Sequence, residues 1–436
     1  MTTLLALAAA AWALSRLRRI AAVGASYKAK ALASALFVSR LDLDPERADE
    51  VSAEAYAILR LFRARVDRAN QSVSASFLGL QRRTASVRSG FGATLAGAPR
   101  PQEEPAPRSP SPELLVQPLA CLTPLLDAAF ADNDPRRLRR TRAIVVLSGG
   151  KVVAERYAPG ITAQTPLNGW SMTKSVMGAL IGTIVGQKRL SLGDRGLLPQ
   201  WSDGRAEIAL EDLLRMRSGL RFSEVYSNPL SDVTRMLFDS TDAAGFAASR
   251  PLAAPPGTVW QYSSGTTNIL SLIARRAVGE TEYPAWPRRA LFDPLGMSSA
   301  VFERDAAGTF VASSFLFATA RDWARFGQLH VEDGIHEGRR LLPEGWVRFG
   351  AAPTPQAPQA RYGAHWWLKL SPELGGQTPA AARVPADAFH ALGHEGQCLT
   401  VIPSRRLVVV RLGLSIDITA WDHASFLAGL LDTLPV

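Results

Sequence analysis

The chain has 436 residues, 47% of them hydrophobic, and a formal net charge of +10. That is enough apolar content to bury one large core or two modest ones, and too much for a disordered protein. The positive excess sits at the start, where residues 1–100 hold 15 Lys and Arg against 7 Asp and Glu; lying beside an apolar terminus, it speaks for an anionic membrane surface and against a nucleic-acid enzyme, which would carry its basic stripe on the folded body.

Residues 2–14 are apolar enough for a signal sequence but short of the roughly 20 residues of a spanning helix. Arg16, Arg18 and Arg19 follow the apolar run, the reverse of the order that exports what comes after it. Residues 1–24 are therefore an apolar anchor or signal-like segment: a peripheral anchor, or part of a longer terminus. Residues 25–98 form an accessory region with helical stretches such as 44–66 and no cluster of catalytic residue types. Residues 99–113 carry Pro99, Pro101, Pro105, Pro107, Pro110 and Pro112, the composition of a linker, and the main body is expected over 114–436. After the solvated run Arg136–Arg142, residues 143–147 and 152–157 read as a hairpin around Gly149-Gly150, and 398–402 with 407–412 as another around Pro403-Ser404-Arg405-Arg406. Between them lies a largely helical middle, including 207–217, 268–277 and 321–330; residues 422–434 are apolar at helical spacing. Cys121 and Cys398 provide neither a disulfide framework nor a zinc spacing, and the histidines have no metal-ligand pattern.

Chemistry concentrates at Lys174. Only six of the 49 basic residues are lysine, and a desolvated lysine, unlike arginine, can act as a base toward a neighbouring hydroxyl. Ser171 lies three residues before it, at the start of an apolar helical run, so both side chains share one helix face and the serine sits at the positive end of the helix. The plain alternative is an N-cap serine followed by an incidental lysine. A second match, Ser148-Gly149-Gly150-Lys151, falls in a turn between strands, where the spacing does not bring the side chains together.

Tyr262, in a loop leading into a helix, would place a hydroxyl near this pair to share its proton; a loop tyrosine capping a helix is the structural alternative. Tyr226 suits a substrate-side wall. In Gly393-His394-Glu395-Gly396-Gln397 the glycines allow close backbone approach, and one N–H there, with that of Ser171, would make an oxyanion hole. His394 fits a wall or oxyanion position better than a general base, because the serine already has a lysine.

The ordered set Ser171-x-x-Lys174, Tyr262-Ser263-Ser264 and Gly393-His394-Glu395-Gly396 resembles the serine hydrolases of the class C β-lactamase and penicillin-binding superfamily, on the branch of 6-aminohexanoate-dimer (nylon-oligomer) hydrolases. Longer phrases extend the likeness, among them Leu291-Phe292-Asp293-Pro294-Leu295-Gly296-Met297, and it covers about residue 140 onward. Residues 25–39 resemble an extension found in membrane-tethered, exported members. The resemblance implies an α/β protein of the α+β type: an antiparallel sheet flanked by helices, an inserted all-helical domain at roughly 205–330, and an active site between them. It implies Ser171 as nucleophile, Lys174 as base, Tyr262 as proton relay and Tyr226 as a contact to the substrate amide, with His394, Gly396 and Gln397 on the substrate or oxyanion side. The family's Lys-Thr-Gly or His-Thr-Gly triplet is absent, which removes the usual hold on a β-lactam carboxylate. The expected function is hydrolysis of a small amide or ester through an acyl-enzyme, without metal or cofactor and without nucleic acid, in the cell envelope on the periplasmic side of a membrane tether; a cytoplasmic location is the alternative. The competing readings are a D-amino-acid peptidase or β-lactamase, and a non-catalytic binding protein on the same fold. The residues around Ser171 lack the second glycine of an α/β-hydrolase elbow.

Overall fold

The computed structural model describes residues 2–95 and 112–434; the proline run 99–111 lies outside the described residues. Helix α1 (Thr2–Ala33) continues into one π turn at Ser34–Val38. Its first part projects from the protein, exposing Leu5, Leu7, Trp12, Leu14 and Leu17, and from Ala22 onward it is buried. Ala25, Ala29 and Ala33 recur every four residues on one face and meet Val73, Ala75 and Ala85 of a four-stranded antiparallel meander. Its strands are β1 (Phe62–Asp67), β2 (Ser72–Phe77), β3 (Leu80–Arg88) and β4 (Gly92–Leu95).

The helix expected at 44–66 is not there. A short helix at Asp49–Ser52 and a 3-10 segment at Glu54–Leu61 lead into β1, whose alternating burial matches period-two pairing with β2. Arg63 and Arg65 occupy the outward positions of this strand.

The main sheet has five antiparallel strands: β5 (Thr141–Ser148), β6 (Lys151–Tyr157), β7 (Phe389–Gly393), β8 (Gln397–Ile402) and β9 (Leu407–Gly413), in the order β7-β8-β9-β5-β6. Both expected hairpins are present, and Leu407 pairs with Ser148 to join the two ends of the body. Side chains alternate between two cores. Val145, Leu399 and Val408 face helices α2 (Met172–Gly186) and α4 (Ala320–Val331), whereas Ile144, Val146 and Val409 face α5 (His423–Thr433).

Helix α2 is buried almost all round. A Cβ on its Gly182 would lie 2.6 Å from the Trp346 indole, so only glycine lets that neighbour approach. Helix α3 (Ser264–Val278) packs beside it. The helix expected at 207–217 shrinks to Leu210–Leu214, because Met216 turns left-handed at φ 58° and Arg217 folds back onto Asp212. The stretch 205–330, expected to be all-helical, joins its helices by long loops and also carries the strands Val301–Phe302 and Leu316–Ala318; the second pairs with Leu167–Asn168, just before the Ser171 turn. No helix among the described residues is long and apolar enough to cross a membrane.

Candidate active site

Ser171 is the N-cap of α2, so its N–H belongs to the unpaired first turn, and it has no backbone partner among the described residues. One turn on, Lys174 is 1% exposed and its Nζ lies 2.8 Å from Ser171 Oγ. The amine also donates to Ser264 Oγ at 3.0 Å and to the Ser313 carbonyl at 2.9 Å. Burial lowers its pKa to about 8, opposed by the nearby Glu224 carboxylate. A neutral amine has two N–H donors and one lone pair, so with Ser264 and Ser313 taking the donors the lone pair faces the Ser171 hydroxyl.

The two acceptors are themselves held. Ser264 donates its hydroxyl to Glu224 Oε1 and its N–H to Glu224 Oε2. Ser313 receives the amide of Asn268, from α3, at its Oγ, and its own N–H returns to Asn268 Oδ1 at 3.1 Å. Burial pushes the Glu224 carboxyl up, while Lys174 and Ser264 pull it down.

Tyr262 packs its ring 5.0 Å from Lys174 Nζ and has its hydroxyl toward Ser171. Burial raises its pKa well above that of an ordinary tyrosine, with the Tyr362 hydroxyl and Glu224 adding to the effect, so it rests as a neutral donor. Tyr226 also reaches the site. Burial raises its pKa, Glu224 reinforces this, and the nearby hydroxyls of Ser264, Ser314 and Ser171 oppose it; none of them makes a well-aligned hydrogen bond to it among the described residues.

His394 stacks on Tyr226, with ring centres 4.8 Å apart and planes at 15°, and meets Trp170 edge-on. Burial lowers its pKa. The hydrogen bonds do not form a Ser-His-Glu triad: the His394 Nε2 faces the Tyr56 hydroxyl at 3.0 Å, and Glu395 binds Tyr56 and Trp170. The side chains around Gly396 and Gln397 turn into the core, leaving the backbone of this turn to face outward from it. A Cβ on Gly396 would meet Arg411, and the Gln397 side chain exchanges two hydrogen bonds with Gly413. No group of three His, Cys, Asp or Glu among the described residues has the arrangement of a metal site.

Glu224, Ser313, Trp170 and Tyr56 carry no motif of their own. Glu224 stands two residues before Tyr226, in a segment without helix or strand. Asn168, which accepts the Trp170 N–H, was within reach of the motif around Ser171.

The Beta-lactamase family model matches residues 126–413. A 6-aminohexanoate-dimer hydrolase of Paenarthrobacter ureafaciens is 27% identical over 306 residues, 62% of this chain and 72% of that enzyme. Among solved structures, a Bacillus anthracis protein carrying the 6-aminohexanoate-dimer hydrolase name superposes with a TM-score of 0.60 at 23% identity, over 75% of this chain and 89% of the other. A penicillin-binding protein homologue of Caulobacter crescentus gives 0.53 at 17%, over 71% and 97%.

Proposed function

We propose, for a chain that belongs to the beta-lactamase family, that Ser171 is the nucleophile of a serine hydrolase cleaving a small amide or ester. The observation that carries this reading is the buried Lys174 amine 2.8 Å from Ser171 Oγ, with its pKa lowered to about 8. Neutral Lys174 takes the serine proton as Oγ attacks the carbonyl carbon. Tyr262, held neutral, gives its proton to the leaving amine or alkoxide and regains one from Lys174. The free Ser171 N–H, with an amide of the turn 394–397, receives the developing oxyanion. Water then resolves the acyl-enzyme by the reverse proton path.

Substrate contact falls to Tyr226, whose buried hydroxyl makes no well-aligned hydrogen bond among the described residues. An amide linkage is the favoured substrate, because it offers that hydroxyl both an N–H and a carbonyl. The decisive experiment is turnover of p-nitrophenyl esters, linear amides and a chromogenic cephalosporin by the full chain and its Ser171→Ala and Lys174→Ala variants. Loss of turnover in both supports the reading, and the preferred substrate separates amidase, esterase and lactamase. Turnover that survives Ser171→Ala, or none at all by the folded protein, overturns it, the latter in favour of a binding protein.

The same reading puts the protein at an anionic bilayer surface. Leu5, Leu7, Trp12, Leu14 and Leu17 are exposed on successive faces of α1, followed by Arg16, Arg18 and Arg19, an apolar tip with a cationic collar. Sedimentation with anionic but not zwitterionic vesicles tests this, and recovery in the supernatant with both kinds refutes it.

A further inference from the structure

Residues 2–95 lie outside the stretch that the family model matches, yet one of their side chains enters the active-site wall. The Tyr56 hydroxyl donates to Glu395 Oε1 at 2.8 Å and lies 3.0 Å from His394 Nε2. The Tyr27 hydroxyl also reaches this group; with the Tyr56 proton on the carboxylate, the Nε2–H tautomer of His394 donates to the phenol oxygen. The other oxygen of Glu395 receives the Trp170 Nε1–H at 2.9 Å.

Trp170 immediately precedes the nucleophile and holds φ at +47°, and Glu395 holds +62°. Bulky residues in the left-handed region persist only where their surroundings fix them, and such strain gathers at functional positions. Asn168 Oδ1 holds the Trp170 N–H at 3.0 Å, and Glu395 holds its indole. On its other side Tyr56 steadies His394, the ring stacked on Tyr226. The Tyr27 ring backs Tyr56 at 5.1 Å, so the hydroxyl is presented by the packed core of the N-terminal unit.

We infer that Tyr56 is a positioning residue through which the N-terminal unit completes the active site: by way of Glu395 and Trp170 it sets the backbone that aims Ser171, and by way of His394 it sets the wall behind Tyr226. The inference rests on the hydrolase reading for its effect on rate, but the contact itself is testable without it.

The test is Tyr56→Phe in the full chain, which keeps the ring against Tyr27. Two quantities are read: the maximal rate at which a fluorophosphonate labels Ser171, and hydrogen exchange at the Trp170 indole N–H, assigned by its loss in Trp170→Phe. Maximal labelling should slow about tenfold with the half-saturating probe concentration unchanged, since geometry rather than binding is affected. Indole exchange should quicken by about the same factor while the thermal midpoint stays close to wild type. Trp170→Phe should slow labelling similarly, and the double variant should be no slower than the slower single, because both act through one carboxylate. Wild-type labelling in Tyr56→Phe, or losses that multiply in the double variant, overturns the inference. Should the wild type itself resist the probe, the hydrolase reading fails alone, and indole exchange still decides whether Tyr56 holds Trp170. If Tyr56→Phe does not fold, Glu395→Gln replaces it and must show the same slowing and quickening; wild-type behaviour there overturns the inference as well.

Discussion

Lys174 and Glu224 are linked through one hydroxyl: Ser264 accepts from the lysine amine at 3.0 Å and donates to the carboxylate. The carboxylate opposes the effect of burial on the amine, which titrates at about 8. Because the base must be neutral, the rate should rise with pH through that value. Glu224→Gln removes the charge that favours protonated Lys174, so the acidic limb of kcat/KM should move down by about one pH unit. A pH–rate profile on an activated ester checks this, and a limb that stays in place or moves up excludes the coupling.

Tyr226→Phe should divide stability from activity. Its buried hydroxyl makes no well-aligned hydrogen bond among the described residues, so removing it should leave the protein as stable or up to about 1 kcal/mol more so. If the hydroxyl is reserved for the substrate, kcat/KM for linear amides should fall about tenfold. Thermal midpoints and amide kinetics measured on one preparation decide between this and a purely structural tyrosine.

Lys30 of α1 is buried against Glu303 and shares that carboxylate with Ser34. Burial lowers the lysine pKa and raises that of the glutamate. Lys30→Met would strand the carboxylate and should cost about 3–5 kcal/mol, whereas adding Glu303→Gln should restore much of it. Urea unfolding of the single and double variants reads this; equal stability of the two would contradict an uncompensated charge.

Acid should unfold the protein early. Burial lowers His330 and His365 to about 4 and His390 to about 3, and holds His423 well below an ordinary histidine. At these four histidines the unfolded chain binds more protons between about pH 6.5 and 4, so their contribution to stability is full above that window and falls as pH drops through it. Each group costs about 1.4 kcal/mol per pH unit within the window, set against a total of about 5–15 kcal/mol. Urea midpoints at pH 7 and pH 5 should differ strongly, and equal midpoints would mean these histidines are charged in the folded state.

The parts legible in the sequence are those written in short-range spacing. Ser171 and Lys174 share a helix face because they are three residues apart, and the two hairpins announce themselves by strand runs around turn residues. Tyr262 was found because it sits in a motif. Glu224, Ser313 and Tyr56 reach their partners across 40, 139 and 339 residues, and no local pattern records such meetings. Strand β1 is hidden for a related reason: an alternating strand of six residues and a helical surface look alike until the partner strand is known. The apolar, arginine-flanked terminus shows as composition, whereas the docking of the accessory unit depends on Lys30 and Glu303 finding each other across 273 residues.

The strand order also bears on how the chain is made. β5 and β6 emerge from the ribosome early, but β9, which pairs with β5, lies near the other end of the chain. Until it arrives, the hairpin exposes an open edge of Ala143, Ile144, Val145, Val146 and Leu147, the kind of edge that pairs with neighbouring chains. Closing a sheet from such distant parts is slow, and nascent chains at high expression are exposed to aggregation throughout the wait. Lower growth temperature and holding chaperones act on that interval, so they should raise the yield of this protein more than any stabilisation of its finished fold.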